Sequence, residues 1–185
     1  RMAAWTNLSE TTFVTAADEA DYHVRIFTPR QELPFAGHPS LGTAHAVIEA
    51  GLATPRDGTL TMACGAGVLP LRIDDGGPVR RVAVRAPRAR IAEADFTMTV
   101  GLAKALGVTV NQEPAPQAVN VGPTWIVVDL EDEAVVRRLA PDLARVADLT
   151  RDYGAVGVAV CGRSGEPGVD LVVRCFVPAD GIPED

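Results

Sequence analysis

Two stretches of this chain read alike, and that likeness limits the fold more than any other feature. Asp21–Ala36 (DYHVRIFTPRQELPFA) aligns without a gap on Asp170–Asp185 (DLVVRCFVPADGIPED). Asp21 pairs with Asp170, Val24 with Val173, Arg25 with Arg174, Phe27 with Phe176, Pro29 with Pro178 and Pro34 with Pro183, while Leu33 and Ile182 match in kind. A weaker echo links Asn7, Thr11 and Val14 with Asn120, Thr124 and Val127, at a different offset. Six identities in sixteen positions exceed what two strand–turn segments share through composition, so a duplication is the better reading. A duplicated chain is expected to form two similar lobes about a pseudo-twofold axis. Equivalent loops then face each other, and the cleft between the lobes is the expected ligand site.

The first copy runs on through FAGHPSLG into an apolar segment, whereas the second stops at Asp185. The repeat thus predicts a second lobe without its central helix and following strands, and a first lobe without a strand ahead of Arg1. The proline-containing stretch from Asn111 to Gln117 is the expected boundary, giving lobes of 1–112 and 113–185.

Alternating hydropathy predicts strands over Thr11–Thr15, Asp21–Thr28, Thr59–Ala63, Val68–Ile73, Val79–Arg85, Trp125–Leu130, Ala155–Cys161 and Val169–Val177. Arg1–Trp5 reads as the end of a helix. Further helices are predicted over Pro39–Ala50, Thr99–Leu106 and Glu131–Leu149, the last restarted at Pro141. Pro39 suits a first helical position and Gly51 lies just past the end. PSLGTAHAVIEA is apolar or small nearly all round, which predicts a helix buried within the fold. Strands and helices mix without regular βαβ alternation, so the fold class is α+β.

Composition narrows the function. Of 185 residues, 47% are hydrophobic, enough for a substantial core. The formal net charge is −7. Arg80, Arg81, Arg85, Arg88 and Arg90 alternate with Val and Ala as on a solvated strand face, so no basic stripe exists for nucleic acid. No apolar run has membrane-spanning length. Cys64, Cys161 and Cys175 are odd in number and form no CxxC pair; no disulfide framework is expected and the cytoplasm is the natural compartment.

Several residues could carry chemistry. Glu10, in NLSETTFV, is a carboxylate at the mouth of an apolar β segment. It is either a surface or capping glutamate, or an acid–base group whose pKa burial raises toward neutrality. His38, before Pro39, stands at or near a helix cap. It is either a plain turn residue or a proton donor beside backbone N–H groups that can hold a carboxylate. Asp185 is the repeat counterpart of Ala36, an N-cap aspartate or a third polar group for the cleft. His23 and His45 read as structural, and the three histidines lack metal-ligand spacing. Cys64-Gly65-Ala66-Gly67 echoes the stretch on which thiol racemases set a nucleophile. A strand pattern follows it rather than a helix, so a structural cysteine is the better reading. No GxGxxG or Walker pattern is present.

NLSETTFV, DYHVRIFTPRQELPFAGHPSLGTAHAVIEAG and VRCFVPADGIPED together resemble the phenazine-biosynthesis PhzF-like isomerase family, over nearly the whole chain. The resemblance implies a diaminopimelate-epimerase-like fold, in which each of two pseudo-symmetric lobes wraps a mixed sheet around a central helix. It implies Glu10 as general acid/base, with His38 and Asp185 beside it. It also implies substrate contacts from Asn7, Ser9, Gly37, Pro39 and Gly122. The family implies a homodimer that needs no metal or organic cofactor and acts on a small carboxylate substrate, with no nucleic acid or membrane partner. The family's Pro-x-Thr-Gly-Ser continuation past the aspartate does not occur here. Two other functions are open: a thiol racemase built on Cys64, and a non-catalytic small-molecule-binding homodimer.

Overall fold

The computed structural model describes residues 2–6 and 8–185. Its contacts gather into two compact units: residues up to Arg88 with Val121–Pro123, and Ala89–Asn120 with Thr124–Asp185. The division falls at Arg88, whereas the sequence suggested 112. The segment between those points is committed to the second unit by strand pairing and helix packing, described below.

The first unit runs α1 (Met2–Thr6), β1 (Thr11–Thr15), β2 (Tyr22–Phe27), β3 (Glu32–Leu33), α2 (Gly37–Glu49), β4 (Thr59–Cys64), β5 (Gly67–Asp74) and β6 (Arg81–Val84). Its sheet has the order β1-β2-β4-β5-β6, with β3 paired to β2. β2 and β4 are parallel; the other pairs are antiparallel. Tyr22, Val24 and Ile26 alternate along β2 onto the buried face, with exposures of 2%, 1% and 0%. Leu60 and Met62 of β4 and Leu71 of β5 are fully buried too. Each such side chain contributes about 1.5–3 kcal/mol to folding. α2 packs against β1, β2 and β6 and supplies Ala44 and Val47 to the buried interior.

α2 begins two residues earlier than its proline suggested. Ala36 is the extended N-cap, so Gly37, His38 and Pro39 are its first three helical residues. A proline is tolerated there because first-turn N–H groups have no intrahelical partner. Nor is the helix buried all round. Pro39, Ser40, Thr43, Ala44 and Val47 are buried, whereas Gly42, His45 and Ala46 are exposed. Small residues read as apolar in sequence, but only one stripe of them meets the sheet.

The second unit runs β7 (Arg90–Glu93), α3 (Phe96–Leu106), β8 (Gln117–Asn120), β9 (Thr124–Asp132), α4 (Glu133–Arg138), α5 (Leu143–Asp152), β10 (Gly157–Arg163) and β11 (Leu171–Phe176), closing with a 3-10 turn, Pro178–Asp180. Its sheet order is β11-β10-β9-β8-β7, with β9 and β10 parallel and the rest antiparallel. β7 pairs with β8 and α3 packs on α5, which is why the boundary precedes them. One core holds Leu102 and Leu106 of α3, Ile126 and Val128 of β9, Val136 of α4, Val146 of α5, Val158 and Val160 of β10, and Phe176 of β11.

Aspartate caps set the helix starts. The Asp95 carboxylate accepts the Met98 N–H at 2.7 Å, drawing α3 back to Phe96. Asp132 and Asp142 cap α4 and α5 in the same way, splitting the predicted Glu131–Leu149 helix in two. Each such cap is worth about 1 kcal/mol. Gly107, at φ +70, ends α3 in the left-handed conformation that glycine adopts without steric penalty. Among the described residues, no helix is long and apolar enough to cross a membrane.

Candidate active site

The site is built in the first unit, where the start of β1 runs beside the start of α2. Glu10 immediately precedes β1, and its side chain retains only 10% of its accessibility. His38, the second residue of α2, is 64% exposed and places Nε2 3.0 Å from Glu10 Oε2. That distance is within hydrogen-bond reach, so a ring N–H can donate to the carboxylate. A carboxylate and an imidazole in such reach are chemically able to pass a proton.

The helix start supplies a complementary feature. Ala36 makes no side-chain capping hydrogen bond, Gly37 is exposed, and a side chain at Gly37 would meet nothing within 4 Å. Pro39 has no N–H. The first-turn N–H groups of Gly37 and His38, which have no intrahelical partner, and the positive end of the helix dipole thus favour an anion beside the pair. Below this turn, Ser40 Oγ donates to the Ala36 carbonyl at 2.6 Å, and Thr43 Oγ1 donates to Thr12 Oγ1 at 2.9 Å. Thr43 is 5% exposed.

Gly122 belongs to the first unit by contact and sits against Phe35, just ahead of the helix cap. Its φ is +114, and a Cβ there would lie 2.9 Å from Phe35 Cβ. Only glycine allows the chain so close in that conformation. Ser9 is half-buried in the bend before Glu10, and Pro39 is buried. Asn7 lies outside the described residues. Asp185 belongs to the second unit, where it is exposed and its N–H donates to the Cys175 carbonyl at 2.9 Å.

The remaining candidates take structural places. His23 Nδ1 bonds the Thr15 hydroxyl at 3.2 Å across the β1–β2 pair, and His45 Nδ1 lies 3.3 Å from Arg80. Cys64 closes the β4–β5 hairpin opposite Gly67, not a helix start, and its thiol donates to the Gly67 carbonyl at 3.4 Å. Burial pushes that thiol's pKa up, away from the thiolate a racemase needs. The Thr12–Thr43 contact was not anticipated. Its sequence signal is period two on the strand: Thr12 shares Glu10's face.

A family model described as phenazine biosynthesis-like protein matches residues 1–185. The chain belongs to that family. One curated relative is the trans-2,3-dihydro-3-hydroxyanthranilate isomerase of Pseudomonas aeruginosa, 35% identical over 187 residues that cover 100% of this chain and 62% of the relative. Antisense-enhancing sequence 1 of Schizosaccharomyces pombe is also 35% identical, over 191 residues, covering 100% of this chain and 64% of that protein. The chain therefore spans less than two thirds of the length of these relatives. The crystal structure of the Bacillus anthracis phenazine biosynthesis protein, PhzF family, superposes with a TM-score of 0.82 at 22% identity, over 100% of this chain and 63% of that one. The fold is the diaminopimelate-epimerase-like one that the sequence implied.

Proposed function

We propose that this phenazine biosynthesis-like family member is an isomerase that moves a proton on a small carboxylate substrate, with Glu10 as general acid/base. The observation that carries the reading is the 3.0 Å Glu10–His38 pair at the uncapped start of α2. The substrate carboxylate rests on the Gly37 and His38 N–H groups. Glu10 takes a proton from a carbon next to a carbonyl or an unsaturated bond. His38 holds the carboxylate of Glu10 in place, and the proton is returned elsewhere on the substrate by Glu10 itself or by a partner such as His38 or Asp185. Gly122 and Ser9 complete the substrate's surroundings. No step in this sequence calls for a metal or an organic cofactor. A positioned acid–base group of this kind gives about a hundred- to ten-thousand-fold in rate.

A dihydro-hydroxyanthranilate is the first substrate to test, because that is what the Pseudomonas aeruginosa relative's name specifies. It has the required chemistry, a carboxylate on a partly unsaturated ring. A cytoplasmic homodimer is the accompanying proposal, supported for the compartment by the three unpaired cysteines.

The test is solvent-deuterium incorporation, followed by proton NMR, with trans-2,3-dihydro-3-hydroxyanthranilate and a panel of small cyclic carboxylates. Exchange or isomerisation by the wild-type chain that vanishes in Glu10→Gln is the expected result. Exchange that survives in Glu10→Gln removes Glu10 from its role, and no exchange with any compound favours a binding protein of the same fold. Survival of activity after alkylation of Cys64 separates this reading from a thiol racemase.

A further inference from the structure

We propose that Thr43, through its hydrogen bond to Thr12, is the positioning residue that sets the Glu10–His38 distance. This rests on the reading of Glu10 and His38 as the acid–base pair. Two contacts tie β1 to α2, like rungs of a ladder: Glu10 to His38 at 3.0 Å and Thr12 to Thr43 at 2.9 Å. On the strand the rungs are two residues apart, about 7 Å of rise. On the helix they are five residues apart, about 7.5 Å. The axial spacings match, while five residues turn an α-helix by about 500°, so His38 and Thr43 leave it about 140° apart. The two attachments together hold the rotation of α2 as well as its height beside β1, and turning or sliding at one displaces the other.

The chemistry of the second rung supports this role. Thr43 is 5% exposed, on a helix face whose other buried residues include Pro39, Ala44 and Val47. An apolar residue would serve such a face as well for stability, since a buried hydroxyl gains little net energy from its bond. A hydroxyl pair does what an apolar contact cannot: it holds one distance and one rotation, as buried polar groups fix register between helices. His38 needs that constraint, because at 64% exposure its own ring is not held by packing.

The experiment uses the whole chain carrying isotopically labelled histidine. Ring-nitrogen NMR reads His38, assigned by the loss of its signal in His38→Gln. Thr43→Val removes the hydroxyl at nearly constant shape, Thr43→Ser keeps it, and Thr12→Val breaks the same bond from the strand side should Thr43→Val fail to fold. The expected result is that Thr43→Val shifts the His38 nitrogen signal in the direction that Glu10→Gln shifts it, and that Thr43→Ser restores the wild-type position. In the isomerase assay with trans-2,3-dihydro-3-hydroxyanthranilate, kcat should fall about ten- to a hundredfold with KM within about twofold. A His38 signal left in place by Thr43→Val or Thr12→Val in a folded protein overturns the proposal, as does Thr43→Ser behaving like Thr43→Val. The nitrogen signal needs no turnover, so it separates failure of this inference from failure of the isomerase reading.

Discussion

The two copies of the repeat make the same local devices in very different settings. In the first, Arg25 lies 4.9 Å over the Phe27 ring and grips the Glu32 carboxylate with two nitrogens at 2.8 and 2.7 Å. In the second, Arg174 lies 5.0 Å over Phe176 and grips Glu184 with both contacts at 2.7 Å. Burial does not follow the repeat. Tyr22 and Val24 on β2 are 2% and 1% exposed, whereas their counterparts on β11, Leu171 and Val173, are 52% and 53% exposed. The difference lies in the helices. α2 covers that face of the first sheet, while α4 of the second unit packs on the Phe176 side of β11. The arginine and its ring are repeat counterparts, but Glu32 aligns with Gly181 and Glu184 with Phe35, so each copy recruits its carboxylate from a different position. In the first copy α2, the segment that follows it, covers the face of Tyr22 and Val24. The same helix brings His38 to Glu10, so the covered copy is also the one that carries the proposed acid–base pair.

That assignment is the first thing to break. Glu10→Gln should lower deuterium exchange by about a hundred- to ten-thousand-fold, since the amide cannot take up a proton. Asp185→Asn, in the same assay, should lower it less. A larger loss from Asp185→Asn would place the principal base on the second copy and reverse the comparison.

A matched pair of substitutions measures the difference in cover directly. Val24→Thr puts an unpartnered hydroxyl into the first core and should destabilise by about 1–3 kcal/mol. Val173→Thr, the same change at the equivalent position, should stay within about 0.5 kcal/mol. Denaturant unfolding of both variants checks this. Equal losses would mean that β11's exposed face is covered in solution, and the contrast drawn above would fail.

The repeat itself and the strands that alternate cleanly could be read before any coordinates, because each leaves a pattern of period two or a turn residue, whereas Glu10 and His38 left alternatives open as residues and were singled out by the family resemblance. What escaped has physical reasons. β7, Arg90–Glu93, is exposed at all four residues, so it carries no alternation to find. β3 has only two residues. α3 starts at Phe96 rather than Thr99 because Asp95 caps it, and α2 starts at Gly37 because Ala36 is its cap, which makes Pro39 its third residue rather than its first. The unit boundary followed prolines in sequence, but strand pairing decides it, and β7–β8 pairing joins residues far apart in the chain. Thr43 could not be matched to Thr12 from sequence, since nothing local says which strand a buried helical hydroxyl will meet.

The smallest effect sharpens the comparison of the arginines. Arg25 and Arg174 look equivalent around their rings and carboxylates, but only Arg174 also donates to main-chain carbonyls, Val136 at 3.1 Å and Leu139 at 2.8 Å, at the end of α4. Arg174→Ala should therefore destabilise by about 1–2 kcal/mol, and Arg25→Ala, at a solvent-facing pair, by less. The pH dependence tells the two contributions of Arg174 apart. Arg174, chiefly through its hydrogen bonds, holds the Glu184 carboxyl below the ordinary glutamate range. A depressed folded pKa stabilises above the unfolded value of about 4.3 and is lost as pH falls through the folded one. The gap in thermal stability between wild type and Arg174→Ala should be full near neutrality and narrow as the solution is acidified below that value. It should not close, because the carbonyls of Val136 and Leu139 do not titrate. A gap that closes fully in acid would assign the whole effect to Glu184, making Arg174 no more than a second Arg25. A gap independent of pH would assign it to the end of α4 alone.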